Sequence, residues 1–432
     1  MIVPLEEAAA DTCGGKGGAL GALLRAGLPV PDGFVVPFAA YLAAVRGLDL
    51  GRRTAGPDDP AAARRAIEAL TVDAGLAAAL ARGLGALGDP PVAVRSSAAD
   101  EDTGRSSAAG RYESFLAVRG ADGVAEAVRA CWASLFSPRA AAGRESGGGS
   151  GGGSGDRSGD RSGDGPAMAV VVQRHLDAEA SGVMFTPAGP GEPTGIEASW
   201  GLGPSVVGGT VTPDSYRVAA DGSVVRTPAD KRTRLDREGA RLVVRNVPDG
   251  VRGRAAIDDA TAVRLAGLGA RIAALRGGPQ DVEWAVAAGH VWILQARPVT
   301  AAPPPAGPPV PAADVPSGAL VGTPGSRGAV TGTARIVRGP GDFARVLPGD
   351  VLVCPFTDPA WTPLLRIAAG VVTETGGVLS HAAIVAREHA IPAVLGVPDV
   401  TSRLRDGALV TVDGTAGTVT VTCPRKGEGS GR

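Results

Sequence analysis

DVEWAVAAGHVWILQARPV, residues 281–299, alternates apolar and polar side chains on both sides of AAGH and reads as a β-hairpin. If its loop is the three residues 287–289, strand alternation puts Asp281, Glu283, Gln295 and Arg297 on one face and leaves Val282, Trp284 and Leu294 to pack on the other. A carboxylate and an amide oxygen side by side suit Mg²⁺, which takes one or two oxygens from protein and the rest from phosphate and water. Arg297 would face the same phosphates. The plainer reading is an ordinary exposed hairpin face.

Upstream, DTCGGKGGAL (11–20) spends a lysine where the chain otherwise writes arginine: Lys16 is one of only three lysines, with Lys231 and Lys426, among 43 basic side chains. GGKGGALGALLRAGLPVPDGFVV reads as a glycine loop, a short helix ending at Gly27 and a strand entered through prolines. Successive glycines let backbone N–H groups turn toward an anion, and the ammonium adds a compact charge for phosphate. The spacing is not that of a Walker A loop, and a glycine turn with a solvated lysine is the plainer reading. In AVRSSAADEDTGRSSAAGRYESFLAV (93–118) Arg95 stands at the end of a strand, trailed by Ser96 and Ser97, which suits bidentate phosphate contact. Its bland alternative is a surface ion pair with Asp100, Glu101 or Asp102.

Downstream, TETGGVLSHAAIVAREH (373–389) offers Ser380 as an N-cap and sets His381 in the first turn of a helix beside Gly-Gly. A phosphoryl group on that imidazole would meet unsatisfied helix N–H groups, and the same dipole favours a neutral, nucleophilic ring. The alternative is a capped structural histidine. The other three histidines, His175, His290 and His389, stand in less suggestive settings.

The 432 residues suit about two to three domains of roughly 100–200 residues, and the net charge of −1 argues against a nucleic-acid or anionic-membrane partner. The longest apolar runs fall short of the roughly 20 residues that span a bilayer, and MIVPLEEAAA has no basic start, so the chain reads as soluble and cytoplasmic. Cys13, Cys131, Cys354 and Cys423 lack disulfide or zinc spacing. Two biased stretches divide the chain. ESGGGSGGGSGDRSGDRSGDG (145–165) reads as a disordered surface insertion, and the proline-dense 301–318 as an extended linker between residues 1–300 and 319–423; 424–432 reads as a disordered tail. After the linker, DVLVCPF, AWTPLLRIAA, GVVTET, SHAAIVAREH, AVLGV, ALVTVD and GTVTVT alternate into a compact mixed α/β unit.

GGKGGAL, VRSSAADED, AAGRYESFL, CWASLFSPRA, MAVVVQRHLDAEASGVMFT, EASWGLGPSVVGGTVTPDSY, DVEWAV, WILQARPV and TETGGVLSHAAIVAREHAIPAVLGV, in that order, resemble the dikinase family of phosphoenolpyruvate synthase, pyruvate phosphate dikinase and rifampin phosphotransferase. The resemblance implies an α+β chain: an ATP-grasp-like nucleotide domain followed by a small β/β/α swivelling phosphohistidine domain. It implies ATP and Mg²⁺, with the β-phosphate of ATP passing to a histidine, release of AMP and phosphate, and delivery to an acceptor. By resemblance, Lys16 and Arg95 bind phosphate, Glu283 and Gln295 hold Mg²⁺, Arg297 lies on the γ-phosphate side, and His381 is the phosphohistidine. Gln173, Arg174, His175 and Leu176 fall at the adenine-contacting hinge, and Lys231 matches a further family lysine. The chain departs from the family in several places. No pyruvate barrel or acceptor insertion is visible, Ala108 replaces a usual aromatic, and Leu379 replaces a threonine used for regulation in some members. The leading expectation is a phosphotransferase to a small-molecule acceptor, a specialised metabolite or antibiotic with a hydroxyl or nitrogen nucleophile. The alternatives are a phosphocarrier whose acceptor domain is on a partner chain, and a degenerate nucleotide-binding regulator.

Overall fold

The computed structural model describes residues 2–48, 60–99, 112–137, 140, 166–302, 316 and 318–422. The insertion 145–165, the loop with Ala108 and Asp100 to Asp102, most of the linker 301–318 and the tail 424–432 lie outside the described residues.

Two large antiparallel sheets carry the N-terminal part, beside a two-stranded antiparallel ribbon of Thr233–Glu238 and Arg241–Asn246. The first, of five strands, runs Val3–Pro4, Gly33–Val36, Met168–Arg174, Val92–Ala98, Ser114–Val118. The second, of six, runs His290–Pro298, Gln280–Ala287, Ala180–Phe185, Thr194–Trp200, Asp214–Val218, Val224–Thr227. Residues 175–179 join the end of a central strand of the first sheet to a central strand of the second. One apolar cluster takes Val35, Ala169 and Val171 from the first sheet and Met184, Val282, Trp284 and Ile293 from the second. The helix Asp259–Arg276 seals the second sheet with Leu265, Leu268 and Ile272, spaced on one face of a 3.6-residue turn. Each such side chain contributes about 1.5–3 kcal/mol of burial. Its ends follow local rules: the Asp258 carboxylate accepts the Thr261 N–H at 2.8 Å, and Gly277 closes it at φ 77°. Gly120–Ala133, Pro60–Glu68 and Ala74–Ala86 cover the outer face of the first sheet.

The C-terminal part forms an eight-stranded mixed sheet. Ala329–Ile336, Val351–Cys354, Gly370–Thr373 and Ala393–Leu395 run parallel, with helical crossovers between them. The outermost strands in the order, Leu320–Val321 and Thr323–Ser326, are one stretch of chain interrupted at Gly322, so the sheet curls back on itself almost to closure. The α+β class follows.

Candidate functional site

GGKGG is not an open loop. Helix Ala10–Arg25 runs through it, broken at Gly14, where φ 76° and ψ 170° fall in a region essentially only glycine occupies. The break presses the chain against strand Val92–Ala98: Ser97 Oγ donates to Cys13 O at 2.7 Å and accepts the Gly17 N–H at 2.9 Å. Lys16, on the first turn after the break and 4% exposed, donates from Nζ to Ser96 O at 2.9 Å. Arg95 is interior to that strand rather than at its end, because the ladder with Met168–Arg174 continues to Ala98.

The hairpin reaches the expected face by another route. Its loop is two residues, Ala288 and Gly289, both at positive φ, and Ala287 pairs with His290. That register alone would pair Glu283 with Leu294 and turn the polar face over. A bulge beyond Trp284 and Ile293 shifts the pairing, so that Glu283 faces Gln295 and Asp281 faces Arg297. The bulge also aims the Leu294 carbonyl, which accepts Arg95 Nη1 at 2.9 Å. Arg95 Nη2 donates to Glu283 Oε2 at 2.8 Å and Gln295 Oε1 at 3.0 Å. Arg297 donates from Nε to Asp281 Oδ2 at 2.9 Å. Burial raises the Glu283 pKa, but Arg95, Arg297 and Lys16 together outweigh it and hold the carboxyl below its ordinary range. Lys16, Arg95, Glu283, Gln295 and Arg297 thus share one electrostatic neighbourhood, although they are spread from residue 16 to residue 297 of the chain.

The described residues contain no cluster of three or more His, Cys, Asp and Glu fit for a metal. The pair Glu283 and Gln295 still fits magnesium of the kind that completes its shell with phosphate oxygens and water. Of the residues expected at the adenine hinge, Gln173 Nε2 donates to Pro31 O at 3.1 Å and Arg174 Nη2 to Leu87 O at 2.5 Å. His175 has its pKa lowered by burial, and its backbone N–H is taken by Pro91 O at 2.9 Å. Leu176, with Leu235 and Leu294, packs against the buried cluster of Ala178, Leu202 and Ala285. Lys231 stands apart from this corner: fully buried, its Nζ donates to Asp214 Oδ1 at 2.5 Å and Ala229 O at 2.9 Å. Cys13, Cys131 and Cys354 are buried free thiols.

His381 is the first residue of helix His381–Glu388 and is 5% exposed. Ser380 occupies the N-cap, but its hydroxyl donates to Gly377 O at 2.8 Å instead of capping the helix. The ring lies between two hydroxyls that sequence reasoning missed: Thr357 Oγ1 is 3.0 Å from Nδ1 and Thr362 Oγ1 is 3.4 Å from Nε2. FTDPAWT has no periodicity or spacing that marks these threonines; only the crossover between parallel strands brings them to the histidine.

The position of this helix matters most. Gln295, Glu283, Val183 and Glu197 stand directly opposite one another on four consecutive strands of the six-stranded sheet, and so on one face. Leu379 and Ile384, flanking His381, pack on Val183, Phe185, Val206 and Val211 of that part of the molecule. Thr375 Oγ1 donates to Gly209 O at 2.6 Å and Gly376 N to Val211 O at 3.1 Å. The histidine-bearing domain is therefore seated on the sheet face that carries the Glu283/Gln295 pair.

Residues 10–313 match the family described as pyruvate phosphate dikinase, AMP/ATP-binding domain, and residues 346–417 that described as PEP-utilising enzyme, mobile domain. Similar proteins include a probable phosphoenolpyruvate synthase of Methanothermobacter thermautotrophicus, 36% identical over 94% of this chain and 61% of its own length. Another, from Archaeoglobus fulgidus, is 36% identical over 94% and 56%, and the phosphoenolpyruvate synthase of Aeropyrum pernix is 33% identical over 97% and 58%. The chain thus spans about three fifths of the length of the curated relatives it matches. No helix among the described residues is long and apolar enough to cross a membrane. With an ATP-grasp-type domain followed by a mobile domain, the chain belongs to the pyruvate phosphate dikinase AMP/ATP-binding domain family.

Proposed function

We propose that this protein is an ATP-dependent phosphotransferase whose first half-reaction loads His381. The observation that carries this reading is the seating of the His381 helix on the sheet face that holds Glu283 and Gln295. Lys16, Arg95 and Arg297 hold the polyphosphate, and Glu283 with Gln295 would hold magnesium, which supplies charge neutralisation on the phosphate oxygens. Displacement on phosphorus is mostly positioning and charge neutralisation, and these groups offer both. The His381 ring nitrogen attacks the β-phosphorus, the bond from the α,β-bridging oxygen to that phosphorus breaks, and AMP leaves. Water then cleaves the β,γ linkage, so ATP, water and histidine give AMP, phosphate and phosphohistidine. Thr357 on Nδ1 orients the ring and leaves Nε2, with its longer contact, as the nucleophile.

For the second half-reaction, the relatives' name states phosphoenolpyruvate as product, which favours the enol oxygen of pyruvate as acceptor over a specialised metabolite. The test is incubation with Mg²⁺ and ATP labelled at the β-phosphate. AMP, phosphate and acid-labile label on His381 are expected, with no label on His381→Ala. ADP as the sole nucleotide product refutes the reading.

A further inference from the structure

Glu197 lies in the middle of strand Thr194–Trp200, only 3% exposed, and no group of the phosphate corner pairs with it in the ladder. Its carboxylate instead reaches the other domain. Oε2 accepts the Leu379 N–H at 3.2 Å, and the Val378 N–H is a second donor to the same group. The approach is so close that a Cβ at Gly377 would fall inside van der Waals contact of both carboxylate oxygens. The half-buried Arg387 guanidinium donates to Val378 O at 2.7 Å and Gly325 O at 3.0 Å, and it also feels the charges of Glu197 and Asp281. The loop ahead of His381 is thus held by an acceptor from one domain and a donor from its own.

We infer that Glu197 is a positioning residue, a latch that fixes the Gly376–Leu379 loop so that His381 faces the polyphosphate. This rests on the proposed loading of His381. Register places Glu197 two strands from Glu283 on the same face, about 10 Å away at the usual strand spacing. Polyphosphate bound at Glu283 and Gln295 can bridge that gap; Glu197 itself contacts the loop rather than the reacting atoms.

Three variants test this in the full chain: Glu197→Ala removes the acceptor, Glu197→Gln keeps one acceptor oxygen, and Gly377→Ala pushes the carboxylate away from the other side. Leaving the two buried N–H groups unpaired is expected to slow phosphohistidine formation about thirtyfold in Glu197→Ala and Gly377→Ala. Glu197→Gln should stay within about threefold of the parent, and ADP affinity should be unchanged in all three. Small-angle scattering supplies a readout independent of chemistry: the radius of gyration should rise for Glu197→Ala and Gly377→Ala and not for Glu197→Gln. Parent-like loading and scattering in Glu197→Ala overturns the latch, as do equal losses in the alanine and glutamine variants. A parent protein that forms no phosphohistidine defeats the proposed function instead, while the scattering series still decides whether Glu197 holds the domains together.

Discussion

Replacing Gly14 by alanine tests whether the GGKGG segment is built for close approach or merely for flexibility. At φ 76° and ψ 170° a side chain costs about 1–3 kcal/mol in backbone strain. The new methyl would also strike Ser97 O and lie 2.5 Å from Ser97 Oγ. Ser97 is locked in the ladder with Ala169 and cannot retreat, which adds about 1–3 kcal/mol of overpacking. Together about 4 kcal/mol should lower the Tm of the N-terminal domain by roughly 8–15 °C. Gly27→Ala is the internal control, because Gly27 also has positive φ, 67°, but its Cβ meets nothing within 4 Å. It should cost about 1 kcal/mol and a few degrees. Both variants would be melted by calorimetry and titrated with ADP. Gly14→Ala should also lose nucleotide affinity, because it displaces Lys16 from Ser96 O, whereas Gly27→Ala should not. Equal melting shifts in the two variants would refute the steric argument.

Lys231→Met strands the buried Asp214 carboxylate without its cation and should cost about 3–5 kcal/mol in a denaturant melt. Thr357→Val removes the hydroxyl 3.0 Å from His381 Nδ1 and should slow phosphohistidine formation about fivefold, with ADP affinity unchanged in equilibrium titration. Burial pushes the Glu197 pKa from 4.5 up to about 7, against the opposing pull of the Leu379 and Val378 N–H groups and the Arg387 charge. A raised carboxyl pKa means that its favourable contribution is complete below 4.5 and is lost as pH rises through 7. The Tm advantage of Glu197→Gln over the parent should therefore be near zero at about pH 5 and grow toward about pH 8. In the same melts Glu283 should act with the opposite sign: its depressed pKa stabilises above the ordinary glutamate range, and that support is lost on acidification.

Local pattern was enough to determine several things about this protein. Alternation within 281–299 marks a hairpin with two carboxylates, an amide and an arginine on one face, and the glycines around Lys16 mark a backbone held in unusual geometry. Ser380 ahead of HAAIVARE marks a helix start with a histidine on its first turn. These are signals of nearest neighbours, where side-chain period and backbone freedom act over a few residues. The tertiary structure decided the rest. A bulge opposite Glu283 restores a face that the two-residue turn alone would have inverted. Sheet order sets Glu197 in line with Glu283, and chain crossover brings Thr357 and Thr362 to His381. Domain seating buries Leu379 and carries the Glu197 carboxylate to a loop 182 residues away. Such contacts depend on register and on the docking of surfaces far apart in the chain, and no local period encodes either.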